Sequence, residues 1–250
     1  MFFSYKKYRI QYIASITIVT LVFNFFSYIP QANAAAVTWV GGSTGTWDTA
    51  SNWSTGSVPT KADDVVITNP DTAITVTVSP ERTVDFRSLT LGGGDSRNIT
   101  LILLGSFGTA AHLTVSTKGT LIQANNVPQT LTGTLTIENS GLLTHKANSS
   151  SVTSTVNFVV GGLNIAIGGK VDANVKGYLG GKNGASGYGP GAGNSVDSVG
   201  NGAGYGGPGS QSTLSNRGKA GPAYGSTTTR SEEHTLNSSH LKLSRMPSSA

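Results

Sequence analysis

Chemistry needs groups that ionise, attack or stack, and this chain offers few of them. The densest cluster is aromatic: Trp39, Trp47 and Trp53 sit in one short stretch rich in Gly, Ser and Thr. Exposed indoles suit sugar rings, which makes Trp47 and Trp53 candidate glycan contacts. The competing expectation is that all three tryptophans cover the open end of a β-structure, where apolar surface and unpaired backbone would meet water. Asp63 and Asp64 are adjacent, as in a paired-carboxylate site, but one of them holding a turn before a strand is the simpler assignment. Asp85, Arg87, Asp95 and Arg97 are the nearest approach to a mixed-charge group and read as solvated turn residues. Of the 4 histidines, His234 and His240 fall in a tail set aside below, which leaves His112 and His145, too few for a His-rich metal centre. The absence of cysteine excludes structural disulfides and thiolate metal sites. No nucleophile stands beside a base, so no catalytic residue, cofactor or metal is expected.

The two ends do not read as fold. Lys6, Lys7 and Arg9 precede a mostly apolar run over 10–29, Pro30 breaks it, and Ala32-Asn33-Ala34 has the small-residue spacing of a cleavage site. This is a secretory signal peptide over 1–34, cut after Ala34, with an uncleaved N-terminal anchor as the alternative. The mature chain is then exported, to the extracellular space or the cell surface, with no stable membrane span. At the other end, "RSEEHTLNSSHLKLSRMPSSA" over 230–250 resembles translated sequencing-library adaptor. The match runs in two frames: Arg230 to Thr235, then, after loss of one base, Leu236 to His240, a gap of index length at Leu241 to Leu243, and Ser244 to Ala250. That resemblance removes Glu232-Glu233-His234 and His240 from the candidate sites. It also implies a natural chain that continues past Thr229.

Charge changes meaning once the ends are set aside. Removing Lys6, Lys7, Arg9, Arg230, Lys242 and Arg245 takes Lys plus Arg from 17 to 11; removing Glu232 and Glu233 takes the acids from 12 to 10. The formal net charge of +5 becomes about +1. No basic patch points to nucleic acid, and no charge run points to an electrostatic partner.

The remaining residues divide into a tryptophan segment (35–62), a stretch of short strand-like runs (63–176) and a glycine-rich segment (177–229). The middle stretch alternates apolar and polar residues with period two and is rich in β-branched residues, as in Val65-Val66-Ile67 and "ITVTV" from Ile74. It also repeats. "LTVSTKGTLIQANN" from Leu113, "LTIENSGLLTHKAN" from Leu135 and "LNIAIGGKVDANVK" from Leu163 share one pattern, with aligned Gly119, Gly141 and Gly169, and "LTLGGG" from Leu89 is a degenerate copy. Leading leucines recur every 24, 22 and 28 residues. A period in the twenties with short strands is a solenoid signature, because one coil cannot bury its apolar face and a stack can. The expected fold is all-β, a right-handed parallel β-helix; an antiparallel β-sandwich is the alternative. Leu and Val/Ile should point inward at alternate positions, with glycine permitting a turn that other residues resist. A catalytic cleft would need charged residues at equivalent positions of successive coils. Lys118, Ser140 and Gly168 do not make one. Asp172 aligns with Ile122 and Leu142 on leucine spacing, so no carboxylate column forms.

"TWVGGSTGTWDTASNWSTGSVPTKADDVVI" resembles the N-terminal start of large bacterial surface proteins with β-helical bodies, through Trp39, Trp47-Asp48, Asn52-Trp53, Pro59-Thr60 and Asp64. It is similar, more weakly, to the start of autotransporter-type passenger domains. "GAGYGGPG" and "AYGS" resemble a glycine-rich stretch within such proteins, where more strands usually follow. Composition leaves two readings of this tract, a flexible linker or an ordered insertion; the collagen period, the phosphate-loop pattern and the calcium-binding nonapeptide repeat are all absent. The resemblance implies a secreted or cell-surface, structural or adhesin-like protein without enzymatic activity, whose partners are glycans or neighbouring surface proteins. The alternative is a polysaccharide-binding module, or a polysaccharide-degrading enzyme whose active site lies further along the chain.

Overall fold

The computed structural model describes residues 36–69, 71–94, 97–181, 185–196, 199–204, 209–211 and 218–223. The leader with its cleavage position Ala34, and the tail from 224 on, lie outside the described residues.

Alternation makes strands here, and their pairing makes a parallel solenoid of six coils. One six-stranded sheet is built from β1 (Ala36–Thr38), β3 (Asp64–Ile67), β5 (Thr83–Leu91), β7 (Ser106–Val115), β9 (Gln129–Ile137) and β11 (Phe158–Ile165). The facing sheet takes β2 (Thr44–Thr46), β4 (Ile74–Val78), β6 (Ile99–Leu103), β8 (Gly119–Gln123), β10 (Leu142–His145) and β12 (Lys170–Asp172). Each coil gives one strand to each sheet, and every ladder between coils is parallel. The sandwich alternative, which needs antiparallel ladders, is excluded for these strands.

Register follows the leucine spacing. Val37, Val65, Leu89, Leu113, Leu135 and Leu163 stack in one inward column of the first sheet. In the second sheet Val76, Leu101, Leu121, Leu143 and Val171 do the same. The members from the inner coils are fully buried. A stack this regular puts each apolar side chain on its counterpart one coil away, at the ladder spacing of about 4.8 Å. The outer faces carry their own columns. On the second sheet Thr44, Thr75, Thr100, Thr120, Leu142 and Lys170 form one, and Thr46, Thr77, Ile102, Ile122, Thr144 and Asp172 form the next. Asp172 therefore lies beside Thr144 and Ile122, each nine residues after its leading leucine, and not beside Leu142, which comes seven after Leu135 and belongs to the neighbouring column.

The repeat glycines serve a purpose other than the one expected. Gly119, Gly141 and Gly169 do not take positive φ. The left-handed residue is the one before each: Lys118 at φ 64°, Ser140 at 62° and Gly168 at 85°. What the glycine permits is close approach. A Cβ at Gly119 would lie 2.3 Å from the Leu91 carbonyl oxygen, at Gly141 2.2 Å from that of Val115, and at Gly169 2.5 Å from that of Ile137. The turn of each coil thus rests directly on backbone of the coil beneath.

The tryptophan segment supplies the first coil itself, through β1 and β2. Trp39 and Trp47 each meet Trp53 edge-on, with centroids 5.2 and 4.7 Å away. Trp47 then leans on Phe86, Phe86 on Phe107, and Phe107 on Phe158, so aromatic rings run up the interior from the first coil to the sixth. The Trp53 indole N–H donates to the Trp47 carbonyl at 2.8 Å, and that of Trp39 to Gly42 at 3.0 Å.

Among its described residues the glycine-rich segment is ordered by backbone. A short antiparallel pair, β13 (Ser195–Val196) and β14 (Val199–Gly200), lies in it. Gly204 N–H donates to Gly191, and Gly221 N–H to Gly202, at 2.8 and 2.9 Å. A Cβ at Gly221 would stand 2.0 Å from the Gly191 carbonyl oxygen. Glycine is required here by segments that touch through their main chains. Tyr205 and Tyr224 lie outside the described residues.

Candidate functional site

The residues singled out for chemistry, Asp95 apart, have traceable positions on these coils. Trp47 and Trp53 are fully buried, at 0% and 1% exposure. Their ring faces are taken by one another, by Trp39 and by Phe86, so neither indole presents a surface to a sugar ring. The glycan-contact expectation fails in this fold for that reason. The Trp47 indole N–H, together with Asp48 Oδ2 and Ser154 Oγ, is buried without a hydrogen-bond partner.

Asp63 and Asp64 diverge. Asp63 Oδ2 accepts from the Thr60 N–H at 2.7 Å and the Thr60 hydroxyl at 2.8 Å, which closes the turn before β3. Asp64, the first residue of β3, faces outward and reaches the next coil. Arg87 Nε donates to its Oδ1 at 2.9 Å, Arg87 Nη2 donates to its Oδ2, and the Ser88 hydroxyl donates to Oδ1 as well. The Arg87 guanidinium holds the Asp64 carboxyl below the usual carboxylate range, helped by Ser88 and opposed by partial burial. A carboxylate held as an anion by a bidentate arginine is a poor general acid or base at neutral pH.

Asp85 and Arg87 lie within β5, not in turns, which corrects the solvated-turn reading. Between Val84 and Phe86 the register with β7 slips, and Gly108 and Thr109 stand opposite Asp85 alone. The Asp85 carboxylate accepts the Thr109 N–H at 2.6 Å, satisfying a donor that the bulge removes from the ladder. A Cβ at Gly108 would lie 2.5 Å from Asp85 Oδ1, so the bulge and its carboxylate fit only around glycine. Arg97 is exposed, and Asp95 lies outside the described residues. Asp85 and Arg87 thus hold separate partners, Thr109 and Asp64.

The histidines are also separate. His112 Nδ1 accepts the Thr134 N–H at 3.2 Å, across the β7–β9 ladder. His145 is buried in the column above Leu103 and Gln123, and its Nδ1 lies 2.8 Å from the Lys146 carbonyl, so Nδ1 carries the proton. Burial pushes its pKa down, opposed by that carbonyl and aided by the Lys176 charge. Among the described residues no group of three His, Cys, Asp or Glu could hold a metal ion.

The polar cluster that reading the sequence missed is inside. Gln129 Oε1 accepts the Phe107 N–H at 2.8 Å, and Gln123 Oε1 accepts the Asn157 N–H at 2.9 Å. The Asn125 amide reaches the carbonyls of Leu103, Leu104 and Gly105. These amides satisfy backbone where the chain turns from one sheet to the other. Their signal in the sequence is Gln123 and Gln129 at positions where alternation calls for apolar residues.

The fold and these ladders define a parallel β-solenoid in which several polar side chains, among them Asp64, Asp85, Arg87, Asn125 and Glu138, tie one coil to the next. Compared with known proteins, the chain matches no family model, no curated protein and no solved structure. No helix among its described residues is long and apolar enough to cross a membrane.

Proposed function

We propose that this chain is a secreted or cell-surface solenoid with a structural or adhesin-like role, and that its product is the rod rather than a reaction. One observation carries the reading: three of the carboxylates that catalysis could draw on are spent on register. Asp64 is held by Arg87 and Ser88, Asp85 by the Thr109 N–H, and Glu138 by the Ser116 hydroxyl, each across one coil-to-coil step. A group committed to its neighbour is not poised to move a proton or hold a transition state. Partners are then glycans or neighbouring surface proteins met on the outer faces, while the buried tryptophans serve the core.

Incubation of the full chain with soluble and insoluble polysaccharides, acidic and neutral, tests this. The expected result is no release of reducing ends, and exposure of the chain on intact expressing cells or in their medium. Depolymerisation abolished by Asp85→Asn in a variant that still folds would overturn it.

A further inference from the structure

The outer face of the second sheet differs from the rest of the surface. Through its first five coils, the outward strand positions carry only Thr, Ile and Leu. Charge first enters the strands at Lys170 and Asp172 in β12, with Lys118 and Lys146 outside the strands at the margins. The first sheet offers a contrast: beside its own threonine row of Thr90, Thr114 and Thr136 run Asp64, Arg87 and His112.

The array is regular in two directions. Thr75, Thr100 and Thr120 are consecutive ladder partners, and so are Thr77, Ile102 and Ile122 beside them. Ladder geometry spaces the rows by about 4.8 Å and the two columns by about 6.6 Å. β-branching restricts χ1, so the methyls and hydroxyls hold fixed positions. All six side chains are partly exposed, and among the described residues no protein group takes the hydroxyls of Thr75, Thr77, Thr100 or Thr120.

Composition narrows the partner. Protein hot spots favour Trp, Tyr and Arg and are poor in Thr and Leu. A sugar-binding platform would use exposed aromatic rings, and this face has none. A charged polymer finds no counter-charge within the strands of the first five coils. What remains complementary is an uncharged lattice that repeats on the same few-ångström scale and accepts both methyls and hydroxyls. We infer that this face binds ice. The methyls restrict the orientations of first-layer water, the fixed hydroxyls anchor it, and the ladder gives that layer a repeat along both axes. Binding to a crystal plane needs no charged group, so none is desolvated.

The test uses the full chain, fluorescently labelled, in a slowly growing ice hemisphere, with crystal coarsening followed in frozen sucrose. Two variants come from one coil: Thr120→Lys on the proposed face and Thr114→Lys on the opposite sheet, both checked for wild-type circular dichroism. The expected result is enrichment of wild type in the ice and slowed coarsening, loss of both in Thr120→Lys, and retention in Thr114→Lys. Exclusion of the wild type from ice, like an albumin control, overturns the inference by itself. So does loss in Thr114→Lys with retention in Thr120→Lys. Neither result bears on the absence of depolymerisation that tests the structural reading above.

Discussion

At the scale of single residues, the turn that closes each coil divides its demands between neighbours. One residue must adopt positive φ, and the next must have no Cβ. Ser140 meets the first demand at some cost, since left-handed backbone disfavours a side chain by about 1–2 kcal/mol. Gly141 meets the second because the Val115 carbonyl oxygen occupies the space a Cβ would fill. The two substitutions should therefore act in opposite directions. Ser140→Gly relieves the φ penalty but adds flexibility to the unfolded chain, for a net gain below about 1 kcal/mol. Gly141→Ala drives a methyl into backbone and should lose about 1–3 kcal/mol, as overpacking does. Urea unfolding followed by circular dichroism measures both. A milder effect for Gly141→Ala than for Ser140→Gly would mean that the coils shift to admit a Cβ and that close approach is not what the repeat glycine provides.

At the scale of the strand, the two faces of β9 make separate demands. Leu135 is 1% exposed and stacked between Leu113 and Leu163, while its neighbour Thr136 points outward between Thr114 and Asn164. Leu135→Asp buries a carboxylate with no partner and should cost more than about 3 kcal/mol. Thr136→Asp places the same group in water and should stay within about 1 kcal/mol, the span of strand propensity. Denaturant midpoints of the two variants decide the matter. Equal losses would reject the assigned faces. The same alternation explains the buried amides, because Gln123 and Gln129 keep inward positions only where backbone donors at the turn await them.

At the scale of the whole solenoid, stability is a sum over coils and their contacts, so the stack should open from an end. The inner coils have neighbours on both sides. β11 and β12 are the last strands of their sheets, and Val159, Ile165 and Ile167 near them are 49%, 46% and 96% exposed. Hydrogen exchange read by mass spectrometry should then find β5, β7 and β9 slowest and β11 and β12 faster, with the tryptophan coil protected by its interlocked rings despite its edge position. Uniform exchange across all six coils would show a cooperative unit rather than a nearest-neighbour stack.

What the sequence determined by itself is whatever repeats locally. Period-two alternation, leucines every two dozen residues and Gly119, Gly141 and Gly169 at one offset suffice for a stack of parallel strands with Leu113, Leu135 and Leu163 in one column, because side-chain direction follows position parity alone. That one of Asp63 and Asp64 holds a turn was legible for the same reason, since the partner of Asp63, Thr60, is three residues away. Tertiary structure decided what depends on the neighbouring coil. The burial of Trp47 and Trp53, the pairing of Arg87 with Asp64 and the Asp85 bulge all involve partners in another segment or coil. The threonine array is likewise a product of the ladder: Thr75, Thr100 and Thr120 lie some two dozen residues apart in the chain, and only the parallel stacking of coils turns them into a surface.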